Sequence, residues 1–186
     1  EEPYSSAPLV HTSYLASVAE DYEKVLSIVE EATARRITNL TLLNNAAFSL
    51  VHLGRLVEAR ELLDALKSKQ AEDVHFSVLA TDGLCKIKSG LIEEGRLAYE
   101  RAIEVANSTE SQAVIRVKLH MFLAMLQNGQ GISDDEWESF RGIEKAPRDT
   151  AERILVSQVA QLRDLRASEP HPGFKASGDR LQSGRV

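Results

Sequence analysis

Cysteine is nearly missing from this chain. Cys85 is the one example among 186 residues. A disulfide within the chain is therefore impossible, and a cysteine cage for zinc is excluded. A lone cysteine inside a helical stretch reads as a small buried hydrophobe, and its scarcity fits a reducing compartment. Aromatic residues make up only 5% of the chain, and proline is sparse before residue 170. No segment alternates apolar and polar residues over a useful length, so strands are not expected. The longest uninterrupted apolar run covers residues 121–126, far short of the ~20 that span a bilayer, and membrane insertion is not expected. The chain opens Glu1-Glu2-Pro3, without an initiator methionine or a basic leader. No signal peptide is expected, and the sequence reads as a processed product or a piece of something longer. Cytoplasmic residence is the expectation these absences leave.

Basic charge is also in short supply. Lys and Arg number 22 against 28 Asp and Glu, for a net charge of −6. Nucleic-acid binding draws much of its strength from cations neutralising phosphates, so an acidic chain without a basic tract is expected to bind no nucleic acid. The histidines, His11, His52, His75, His120 and His171, include no pair at i, i+4. Neither an HExxH pattern nor a phosphate-cradling glycine loop is present. The pairs Glu30-Glu31 and Glu93-Glu94 read as solvated helix faces. No catalytic residue, metal site or cofactor is expected, and the chain reads as a non-enzyme.

What remains is rich in Ala, Leu, Glu and Arg, which are good helix formers, and the fold class is all-α. Three segments share one plan: an apolar helix, a tight turn, then an amphipathic helix. The first runs over residues 44–63, the second over 81–102, and the third over 119–129 and 133–145. Their turn glycines, Gly54, Gly90 and Gly129, stand 36 and 39 residues apart. Only glycine enters the left-handed conformation cheaply where a helix must stop within one residue. Ala47 and Gly83 are small residues mid-helix, where a neighbouring backbone must come close; Ala59 and Gly95 match them in the second helices. A weaker unit around residues 20–32 has the same spacing without the glycine. Thr109 is expected to cap a helix reaching Asn128. Ser133-Asp134-Asp135-Glu136 is a capping box ahead of Trp137 and Phe140, and Pro147 ends that helix. Asp149-Thr150-Ala151-Glu152 opens another, with an apolar stripe of Ile154, Leu155, Val159, Leu162 and Leu165. Trp137 and Phe140 are expected to pack against that stripe. One helical domain over 1–167 is expected, followed by a tail over 168–186 that contains Pro, Gly and Ser.

The paired segments, their turn glycines and their small mid-helix residues resemble the tetratricopeptide repeat family, with periods near the roughly 34 residues of that repeat. The resemblance covers roughly residues 9–146 and is most specific over 43–102. It implies a right-handed α-solenoid of about four helix pairs plus a C-terminal capping helix. It also implies a concave groove, lined by the first helix of each pair, that takes a peptide or partner protein. Two departures stand out. Asp82 and Lys86 fall where apolar residues are usual; they are four apart, able to pair, and expected to weaken or rotate packing in the middle repeat. The carboxylate clamp of heat-shock cochaperones is not expected either: Asn45 matches its second-pair Asn, but Val10, Tyr14, Ser77 and Thr81 stand at the other positions. The stretch Asp82-Gly83-Leu84-Cys85-Lys86 also looks like the pentatricopeptide family of RNA readers, but it occurs once and in an acidic chain.

The groove residues implied are Asn44, Asn45, Phe48 and His52 from one first helix, Thr81, Leu84 and Lys88 from the next, and Arg116, His120, Leu123 and Gln127 from the last. Asparagine is a mediocre helix former because its amide competes for backbone hydrogen bonds. Either asparagine therefore bonds a bound peptide backbone, or it bridges helices. His52, Lys88, Arg116 and His120 would make a locally basic groove suited to an acidic ligand; solvated or core-edge side chains are the plainer reading of the same four. The function expected is a non-catalytic protein–protein interaction module, a scaffold or adaptor. The alternatives are a regulatory or sensor domain of a longer protein, and a self-association module whose homo-oligomer face is Met121, Phe122 and Met125.

Overall fold

The computed structural model describes residues 6–70, 73–109, 113–141 and 150–168. Among them are nine helices and no strand, as the composition implies. In chain order these are α1 (Ala7–Val18), α2 (Tyr22–Ala34), α3 (Leu40–His52), α4 (Leu56–Gln70), α5 (Phe76–Lys88), α6 (Ile92–Thr109), α7 (Ala113–Gln127), α8 (Asp134–Arg141) and α9 (Thr150–Ser168). From α1 to α7 each helix packs on the next. Each odd helix also packs on the next odd one, α1 on α3, α3 on α5 and α5 on α7, while α9 lies on α7.

Apolar spacing explains which faces are covered. The outer helices bury one stripe: Val25, Ile28 and Ala32 on α2, Ala59, Leu63 and Leu66 on α4, and Gly95, Tyr99, Ala102 and Ala106 on α6. These are the i, i+3, i+4, i+7 positions of one helical face. Helices α5 and α7 are buried nearly all round, as expected for elements flanked on both sides. The main core runs from α3 to α9; a separate small cluster of Ala16, Val25, Ile28, Ala32 and Leu42 joins α1, α2 and the start of α3.

The turns close as the glycines imply. Gly54, Gly90 and Gly129 have φ of 75°, 84° and 85°. In each, the residue after the glycine bonds back five residues: Arg55 N–H to the Leu50 carbonyl at 2.9 Å, Leu91 to Lys86 at 2.9 Å, Gln130 to Met125 at 3.0 Å. That is the Schellman closure, which satisfies carbonyls the helix end would leave orphaned. The weaker first unit uses the same closure without glycine: Glu20 sits at φ 58°, and Asp21 N–H bonds the Ala16 carbonyl at 2.9 Å.

The caps divide into expected and unexpected. Ser133 and Glu136 form the reciprocal box: Ser133 N–H donates to Glu136 Oε2 at 3.0 Å, and Glu136 N–H donates to Ser133 Oγ at 3.2 Å. Thr109, expected as a cap, is instead the last residue of α6, and its hydroxyl bonds back to the Val105 carbonyl at 2.8 Å. Asp149, Pro147 and residues 169–186 lie outside the described residues, as do the side chains of Phe140 and Glu152.

The middle of the chain is tighter than Asp82 and Lys86 imply. Asp82, 7% exposed, pairs with Lys86 at 2.9 Å and also with Lys67 of α4 at 2.9 Å. The carboxylate thus ties α4 to α5 rather than loosening them. Burial alone would lower the Lys67 pKa, but its hydrogen bonds to Asp82 and Asp64 outweigh burial and raise it. Beneath this pair α5 and α6 touch backbone to backbone. A methyl added at Gly83 would lie 2.6 Å from the Tyr99 ring and 2.9 Å from the Gly95 carbonyl; one at Gly95 would lie 2.7 Å from the Gly83 carbonyl.

Two substitutions measure these features. Glu20→Gly removes a left-handed strain of ~1–2 kcal/mol and gives back ~0.5–1 kcal/mol in chain entropy. The expected outcome is a thermal midpoint unchanged or higher by up to about 4 °C. Gly83→Ala is expected to lower unfolding free energy by about 1–3 kcal/mol in urea titration with the slope unchanged. A smaller loss would show that α5 and α6 separate freely.

Candidate functional site

The odd helices leave a cavity of about 560 Å³ along their row. Tyr14, Ser17 and Val18 of α1 stand at one end, and Ile154, Leu155 and Gln158 of α9 at the other. Between them lie Asn44, Asn45, Phe48 and His52 of α3, Thr81 and Lys88 of α5, and Arg116, His120, Leu123 and Gln127 of α7. Steps of three and four residues place each set on one helical face. Ten of the groove residues read from sequence therefore meet in one place. Leu84 does not: it is 4% exposed and part of the core. Helices α3 and α7 flank α5, and Phe48 of α3 meets His120 of α7 at a ring separation of 5.9 Å.

An aromatic chain crosses the cavity. Tyr22 of α2 stacks on His52 at 4.6 Å, His52 lies 4.4 Å from Phe48, and Phe48 lies edge-on to His120. The Tyr22 phenol is pushed up to about 12 by burial and then by the Glu20 charge. Both imidazoles are held neutral. Burial, then the Lys88 charge, lowers His52 to about 4; burial, then His52 and Arg116, lowers His120 to about 4. Tyr22 was not foreseen, since second helices were expected to face away. Its signal lay in the weak first unit, where it follows the turn directly.

The two asparagines separate. Asn45 donates its amide to Ser13 Oγ at 2.9 Å, bridging α3 to α1. Asn44 is 8% exposed, and its Oδ1 has no hydrogen-bond partner; Ser17 Oγ, also on the cavity wall, is likewise buried without one. Buried polar atoms are almost always paired, so two unpaired ones on one cavity wall call for a ligand or water.

Other sequence candidates are structural. Cys85 is buried, with its thiol 3.8 Å from the Leu56 carbonyl, and burial pushes its pKa up. Trp137 is in the core with the Arg163 guanidinium 5.3 Å from its ring. Met121, Phe122 and Met125 are 7%, 3% and 7% exposed, so the self-association face drawn from them is closed by packing. Among the described residues no three His, Cys, Asp or Glu side chains group to hold a metal, and no helix is long and apolar enough to cross a membrane.

No family model, curated protein or solved structure matches the chain. The reading of the cavity rests on its residues and their geometry.

The neutral histidines set a pH dependence. Their folded values of about 4 lie below the ordinary 6.5, so between those values the unfolded chain binds more protons. The stability they contribute is complete above pH 6.5 and is lost as pH falls through that window toward 4. Thermal melts should be flat near neutrality and drop below pH 6.5, and combining His52→Phe with His120→Leu should shrink the drop between pH 6.5 and 5. An equal drop in the double variant would assign it to carboxylates instead.

Proposed function

We propose that this chain is a non-catalytic interaction module, a right-handed stack of tetratricopeptide-like helix pairs that receives an extended segment of a partner protein in the cavity. The stacking reading is supported by the row of odd helices, by three-residue connections within the first three pairs, and by matching left-handed turns at residues 20, 54, 90 and 129. In this reading α9 is the terminal capping helix.

Asn44 carries the functional reading. An amide oxygen buried without a partner costs roughly 1–3 kcal/mol, and such a group persists where something outside the fold completes it. An extended backbone offers an N–H donor at every second residue on one side, which suits Asn44 Oδ1. The Ser17 hydroxyl adds a second point of attachment, and the aromatic chain gives side chains an apolar floor. Asn45 is the helix-bridging asparagine in this division, although it is the one that aligns with the family's clamp.

Asn44→Leu separates binding from folding. Removing the unpaired oxygen is expected to leave the thermal midpoint unchanged or raise it by about 2–4 °C. The native chain is expected to capture decapeptides from a displayed random library, and Asn44→Leu is expected to abolish that capture. Undiminished capture by Asn44→Leu would remove the cavity as the binding site.

A further inference from the structure

The charge in the cavity is one-sided. Its titratable lining is Lys88 from α5, Arg116 and His120 from α7, His52 from α3, Tyr14 from α1, Tyr22 from α2, Tyr99 from α6 and Glu20 from the α1–α2 turn. Glu20 is the one carboxylate among these described residues, on a chain whose net charge is −6. The buried carboxylate of Asp82 does not line the cavity and is already taken by Lys67 and Lys86. Lys88 makes no ion pair with a described residue. Its charge bears on His52, while those of Arg116 and His52 bear on His120, so the four nitrogenous groups form one electrostatic cluster along the aromatic chain. Both ends of the cavity carry open apolar side chains: Tyr14 and Val18 are 39% and 44% exposed, beside the polar Ser17 and Glu20, and Ile154 is 47% exposed, beside Gln158.

Resting on the peptide reading above, we propose that the partner segment is acidic at its middle and apolar at its ends, and that its carboxylate enters between Lys88 and Arg116 together with protons on His52 and His120. A carboxylate beside an imidazole favours the imidazolium. In the empty cavity the two cations oppose protonation; an arriving anion cancels that opposition. The complex then holds more protons than its separate parts, and by linkage affinity rises as pH falls. The module takes its partner more tightly in mild acid. Complementary charge commits the occupant to an acidic extended segment, which meets the cavity cations directly; a second copy of the chain is the alternative that sedimentation tests.

The test pans a random decapeptide display library against the whole chain, then measures the selected peptides by fluorescence anisotropy at pH 7.5 and 5.5, with circular dichroism confirming the fold at both. The inference expects Asp or Glu enriched at one central position and affinity tighter by about ten-fold or more at pH 5.5, since each proton taken up contributes at most ten-fold per pH unit. Lys88→Glu with Arg116→Glu should weaken those peptides at least about ten-fold. His52→Phe with His120→Leu should bring the ratio of affinities at the two pH values toward one. Where that double variant does not fold, proton–carbon spectra of the native histidines serve instead: both should titrate at higher pH with peptide than without. Selected peptides that are neutral or basic, or affinity that is level or weaker at pH 5.5, would overturn the inference and leave the peptide groove standing. A library yielding no peptide that Asn44→Leu weakens, or sedimentation showing a dimer whose formation competes with peptide, would take down both.

Discussion

The contact of α5 and α6 at Gly83 and Gly95 is the constraint on which the rest hangs. Two helices ordinarily stand about 8–10 Å apart because side chains hold them off. Here both glycines lack the atom that would do so, and each carbonyl lies where the other's methyl would be. Tyr99, 1% exposed, packs its ring into the space over Gly83. Helix α5 is thereby seated deep, with α3 on one side and α7 on the other. The depth of α5 lets Phe48 and His120 reach each other across it, and their meeting sets the floor of the cavity. Lys88 and Thr81 are presented at that floor because α5 is anchored from behind.

Polar groups in this molecule follow two rules. Where they hold helices together they are fully paired, as in Lys67–Asp82–Lys86 and Asn45–Ser13. Breaking a paired buried ion costs several kcal/mol because the survivor is stranded, so such groups are poor places for a partner to intervene. Along the cavity the rule is relaxed. Asn44 and Ser17 stand unpaired, and His52 and His120 sit neutral where water would let them charge. Ser49 Oγ and Gln70 Nε2 are also buried without a partner away from the cavity, but along the cavity two such atoms share a wall with neutral histidines, a departure from local consistency of the kind functional surfaces carry.

Much of this was legible in the sequence, and the exceptions have physical causes. Helices, turns and the small-residue approach follow from local rules: periodicity, left-handed glycines, a missing Cβ. Ten of the groove residues were legible because a helix face is a matter of spacing. Leu84 obeys the same spacing and is buried in the core all the same, because burial there depends on packing between helices, which spacing within α5 does not encode. Lys67 as the second partner of Asp82 was invisible for a like reason, since the pair joins different helices. Which asparagine would be free was undecidable locally: Ser13, 32 residues away, makes the choice.

The hydrophobic interior is divided. Ala16, Val25, Ile28, Ala32 and Leu42 form a small nucleus apart from the main one, and α1 is fastened to α3 largely through packing and the Asn45–Ser13 bond. Cooperative units in proteins tend to follow such divisions. The first helix pair is thus a leaf that can loosen while the remainder holds. Because Tyr14, Ser17, Val18 and Tyr22 belong to that leaf, the width of the cavity mouth follows its seating on α3.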